Sequence, residues 1–192
     1  MSDAFNYVAV LVSIVLGLGI TRVLGQLSEI IQKQNRSRRY WVHTIWIIAM
    51  FNALMLNWWV LFRWRVAPQW NFFLFIWVTI APVLLYLACG VLCPGELAST
   101  GAKDWREYFY DNRRGFFLCM AAIWPLDVID TLLKGKQHFI DQGFLYLPML
   151  TFWTGGLAIA AITANERYHQ FWSIAFLVST IVYTTVVLLN LG

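Results

Sequence analysis

The chain has 192 residues, 60% of them hydrophobic and only 12% charged, with a formal charge of +4 and a mean hydropathy of +0.62. A soluble domain is about 45–50% apolar and about 25% charged, so the composition excludes an ordinary soluble domain and points to a polytopic membrane protein. The net charge does not mark a nucleic-acid binder, because the basic residues fall in short loops between apolar runs rather than on one face.

The first apolar run, Val8–Ile31, is long enough to cross a bilayer, for which about 20 apolar residues suffice. The residues before it hold Asp3 and no Lys or Arg, so no basic segment of a cleavable signal precedes it, and the run is expected to be retained. Ser13, Gly17, Thr21 and Gly25 recur every four residues and form a small-residue stripe along one helix face, the pattern that lets a second helix approach closely. Arg22 lies well inside the run. A charge there costs about 2.5–3.5 kcal/mol on insertion scales and calls for a polar partner. Gln26 and Glu29 continue from it at i+4 and i+7, a polar lane down one side of the helix.

Five further spans follow: Trp41–Phe62, Phe72–Cys93, Gly115–Leu133, Phe144–Ala164 and Gln170–Asn190, each of 19 to 22 residues. The expected fold is an all-α bundle of six transmembrane helices forming one domain over residues 1–192. Equal counts in the two halves, with an embedded charge in spans one and four, are compatible with an inverted 3+3 repeat. Between spans three and four, Trp105, Tyr108 and Phe109 share a face within Asp104–Arg114, which reads as a short amphipathic helix on the cytoplasmic surface and a candidate docking point for a protein partner.

The loops set the orientation. Arg63, Arg65, Lys134 and Lys136 fall on one side. Lys33, Arg36, Arg38, Arg39, Lys103, Arg106, Arg113, Arg114 and Arg167 fall on the other, and the positive-inside rule makes that side cytoplasmic. Both termini are then expected outside, in the periplasm if the membrane is a bacterial inner membrane.

Span four carries the partners for Arg22. Asp127, Asp130, Thr131 and Lys134 lie at i, i+3, i+4 and i+7, one polar face of a helix interrupted by Pro125. On axial distance Asp127 is offset from Arg22 by only about 5 Å, so an Arg22–Asp127 pair is expected, with Asp130 the freer carboxylate. Gly155 and Gly156 mark span five as a close-packing site, and Asn52 and Asn57 add amide groups to span two. The two interfacial histidines, His43 and His169, are the residues a haem or metal would use, and Cys89 and Cys93 stand at i and i+4; neither set has a recognised spacing, and no cofactor or metal is expected. The three cysteines lie in or beside apolar runs, which argues against a disulfide framework.

Three functions follow from this pattern. The first is a small channel or transporter, a homo-oligomer in the bilayer, passing an ion, proton or small solute along a lane of Arg22, Gln26, Glu29, Asp127, Asp130 and Thr131, with Pro125 as the bend. The second is a non-conducting scaffold, sensor or partner subunit, and the third a membrane enzyme working at the cytoplasmic face. The chain has no H-E-x-x-H and no glycine-rich phosphate loop, which weighs against the third.

Overall fold

The structure is a computed structural model that describes residues 3–31, 39–66, 70–95 and 97–189. The described residues are helical throughout, with short connections. In chain order the helices are α1 (Asp3–Ile31), α2 (Trp41–Leu61), α3 (Phe72–Leu92), α4 (Trp105–Leu133), the short α5 (Lys136–Asp141), α6 (Tyr146–Ile162) and α7 (Glu166–Leu189). Two 3-10 turns, Phe62–Val66 and Leu97–Thr100, precede α3 and α4. Four helices, α1 to α4, are long and apolar enough to cross a membrane, and α6 is a shorter apolar helix of 17 residues. Their outward faces are rich in large apolar side chains such as Ile14, Leu18, Phe73, Leu118 and Phe152. That surface suits lipid, not water. The chain is therefore read as an integral membrane protein. Of the residues counted for orientation, Lys33, Arg36 and Arg38 lie outside the described residues, as do both terminal ends.

The helix order in space follows the chain only in part. α4 packs most extensively on α6 and α3, α1 lies against α3 and α2, and α7 lies against α2. α2 is thus central, and it supplies Trp46, Ile47, Met50 and Leu54, all fully buried. Trp46 makes edge contacts with Phe116 and Phe117 of α4 at 5.4 and 5.0 Å and meets Phe176 of α7 at 5.0 Å.

The stretch expected as a separate surface helix is instead the first part of α4, which runs unbroken from Trp105 to Leu133. Two features explain it. Asp104 caps the helix by accepting from the Glu107 N–H at 2.8 Å, while the Glu107 carboxylate accepts from the Lys103 N–H at 2.6 Å, an arrangement close to a capping box. Gly115 then costs only about 1 kcal/mol within a helix and does not end it. The aromatic face of Trp105, Tyr108 and Phe109 is buried within the protein rather than laid on a membrane surface. Pro125 also lies inside α4, where its missing N–H leaves the Ala121 carbonyl without its helical donor.

The glycines divide by what faces them. A Cβ at Gly156 would lie 2.0 Å from the Trp172 ring, so α6 and α7 meet there by close approach. Gly155, Gly17 and Gly25 have nothing within 4 Å of that position, and Thr21 is exposed with its hydroxyl bonded to its own helix at Gly17. Among the described residues no other helix therefore packs on Gly17, Thr21 or Gly25 of the stripe. In α1 that task falls to Gly19, against Leu54 and Cys89.

Candidate functional site

The polar face of α4 forms as its spacing requires, and α6 closes over it. Tyr146, in the first turn of α6, donates its hydroxyl to Asp127 Oδ2 at 2.7 Å, with the Asp127 carbonyl at 3.2 Å. The Thr131 hydroxyl stands 2.9 Å from the same phenol oxygen, which leaves Thr131 as the donor to it. Thr131 and Tyr146 are both buried at 4% exposure, so their hydroxyls clasp α4 to α6 inside the protein, while Asp127 is half-buried. One turn further, Asp130 accepts from Lys134 Nζ at 2.5 Å. The same ammonium lies 4.8 Å from the centroid of the Trp64 ring. Lys134 is the C-cap of α4, where a cation also complements the carbonyl end of the helix.

Beside these carboxylates is a half-open cavity of about 70 Å³ lined by α2, the 3-10 turn after it, α3 and α4. Its polar lining is Asn57, Asp127 and Asp130, its aromatic lining Trp64 and Trp77, and the remainder is aliphatic. That volume accommodates a few water molecules or one small cation with its polar contacts. The charged groups acting on Asp127 there are Asp130, Lys134 and Arg63.

Arg22 is elsewhere. It is exposed, with Nη2 3.5 Å from the Tyr86 hydroxyl and the guanidinium 5.5 Å from the centre of that ring. Gln26 is buried and donates to Glu29 Oε2 at 2.9 Å. The Arg22–Asp127 pair expected from axial distance is not formed: α1 packs on α2 and α3, and α4 lies across α3 from it. Matching depth does not make two helices neighbours. The polar residues of span one and those of span four are thus two groups and not one lane.

At the opposite end from the acidic cavity the two histidines sit in an aromatic cluster. His43 Nε2 is 2.8 Å from the Leu92 carbonyl and its ring stacks on Trp105 at 4.9 Å. His169 Nε2 is 3.0 Å from the Thr163 carbonyl and its ring lies on Phe117. A carbonyl only accepts, so both Nε2 atoms carry hydrogen and are not presented to a metal. The Phe109 ring lies edge-on to both imidazoles, at 6.4 and 5.4 Å. Cys89 and Cys93 are buried thiols, and among the described residues no three His, Cys, Asp or Glu side chains gather closely enough to hold a metal ion.

Sequence reasoning found Asp127, Asp130 and Thr131 and missed Tyr146, Trp64 and Trp77. Tyr146 opens an apolar run and Trp64 sits between two arginines, positions that look like interface anchors. Only the packing of α6 on α4 and the turn after α2 gives them a role at the carboxylates.

Comparison of the chain with models of protein families, with curated proteins and with solved structures finds no match.

Proposed function

We propose that this is a small membrane transport protein of six membrane-crossing helices, passing a cation or proton by way of the α4 carboxylates Asp127 and Asp130. The observation that carries the reading is that both carboxylates line one cavity with Asn57 among mainly apolar helices. Ionisable groups at membrane depth are costly, and where they border a cavity they mark ion and proton pathways. α6 rises about 26 Å, close to the hydrocarbon thickness of about 30 Å, and α7 is longer, which supports counting both as spans. The inverted repeat remains part of this proposal at the level of span count. The loop charges put the acidic cavity in the outer half of the membrane, periplasmic in a bacterial inner membrane, and the histidine cluster at the cytoplasmic end.

The experiment is flux through purified protein in liposomes. Cation or proton flux above that of empty liposomes, reduced at least tenfold by Asp130→Asn and by Asp127→Asn, supports the reading. Flux equal to that of empty liposomes overturns it. A second reading, a scaffold or partner subunit, draws on the shallow groove at the start of α4, whose rim carries Lys103, Asp104, Arg106, Glu107 and Asp111. It is favoured if flux is absent and the protein co-purifies with one stoichiometric partner.

A further inference from the structure

We infer that the cation of the acidic cavity is a small primary alkylammonium, and that Lys134 is a tethered occupant of the seat it uses. The inference rests on the cation reading above and names its substrate class. The seat is built from two parts on different elements. Asp130 of α4 supplies the charge-assisted acceptor, and Trp64 of the turn after α2 supplies an aromatic face, with the Lys134 ammonium held between them. Both charged side chains are largely withdrawn from the surroundings, at 10% and 20% exposure. A carboxylate on one side and an indole face on the other is what recognises an organic ammonium, whose hydrogens point at the oxygen and whose charge rests on the ring. A hard metal cation wants several oxygen ligands at short range. The ring gives it none.

The cavity supplies what a lysine side chain does not use. Asp130 and Trp64 both belong to its lining, so the seat stands at its edge. Trp77 and the aliphatic residues of α3 and α4 leave room for a short alkyl substituent, and Asn57 and Asp127 offer polar atoms on the far side. Lys134 sits at the end of α4 on a flexible stem, so an incoming ammonium replaces it like for like. Such a competitor weakens apparent affinity by the fraction of time the seat is open.

The test is calorimetric titration of the full chain in lipid nanodiscs with ethylammonium, and with ethanol and potassium as controls. Lys134→Gln is expected to tighten ethylammonium binding, by about tenfold if Lys134 holds the seat about nine-tenths of the time. Adding Asp130→Asn or Trp64→Leu to that variant is expected to abolish the gain, and ethanol and potassium are expected not to compete. Equal affinity in wild type and Lys134→Gln, or displacement of the amine by equal potassium, overturns the inference. A second readout needs no variant: with lysine ammonium nitrogens labelled, ethylammonium should shift the Lys134 resonance and leave Lys33, Lys103 and Lys136 in place. An unmoved Lys134 resonance overturns it equally. The two proposals fail separately, because Asp130-dependent flux of protons or potassium without amine binding sinks only this one, and amine binding without any flux sinks only the other.

Discussion

Replacing the two adjacent glycines of α6 by alanine should move stability in opposite directions. At Gly156 the new methyl would lie 2.0 to 2.6 Å from three ring atoms of Trp172. That ring has no easy retreat: it is 3% exposed and packed against Phe152 at 5.0 Å, Tyr168 at 6.2 Å and Phe176 at 6.4 Å. The Gly156 carbonyl also accepts from the Tyr168 hydroxyl at 2.7 Å, which ties the backbone to α7. Overpacking costs about 1–3 kcal/mol, and the depth of this overlap puts Gly156→Ala near the top of that range. Helix propensity returns about 1 kcal/mol, for a net loss of about 2 kcal/mol. At Gly155 nothing lies within 4 Å, so only the propensity gain of up to about 1 kcal/mol applies. The two variants should differ by about 3 kcal/mol in reversible unfolding of the purified protein in mixed micelles. Trimming the ring by Trp172→Leu should rescue part of the Gly156→Ala loss, a non-additivity expected of touching residues. If Gly156→Ala is as stable as Gly155→Ala, the close approach of α6 and α7 is not there.

Three further outcomes are expected. Tyr146→Phe removes the donor to Asp127 and the acceptor for Thr131; unfolding should report a loss of about 1–3 kcal/mol, and a neutral result would mean the clasp between α4 and α6 is not formed. A double-mutant cycle of Arg22 with Asp127 should give a coupling below about 0.5 kcal/mol, because the two side chains share no contact; a coupling well above that would restore the ion pair. Glu166 is bonded to Arg106 at 2.8 Å, and that guanidinium holds its carboxyl below the usual carboxylate range. The pair's small, salt-screened contribution is therefore present above the ordinary glutamate pKa and is lost as the pH falls through the depressed one. Melting temperature followed from neutral to acid pH should show a shallower acid limb in Glu166→Gln, and an unchanged limb would contradict the pairing.

Much of the fold was legible because apolar runs of membrane length leave few alternatives. Trp41 and Phe72 are the observed first residues of α2 and α3, and those helices end at Leu61 and Leu92, within a residue of the expected ends. From sequence, α4 is divided at Gly115 because the charged residues of Asp104–Arg114 resemble a surface segment, whereas the helix capped at Asp104 runs through them without a break. Within the site, the face shared by Asp127, Asp130, Thr131 and Lys134 follows from helical spacing alone. Its partners do not. Spacing places a residue on its own helix and says nothing of which helix stands opposite, so Arg22 was matched to Asp127 by depth while α3 lies between their helices. The small-residue stripe of α1 illustrates the same limit: periodicity marks a close-packing face for a helix of the same or another subunit, and only the packing of α1 on α2 and α3 shows that within the chain the glycine in use is Gly19.

The claim that Asp130 of α4 receives an alkylammonium cation is tested most directly by infrared difference spectroscopy of the protein in lipid with and without ethylammonium. Cation binding should perturb the carboxyl stretch in the wild type, and Asp130→Asn should erase that change. A wild-type spectrum without a carboxyl difference, or one that survives in Asp130→Asn, would contradict the account.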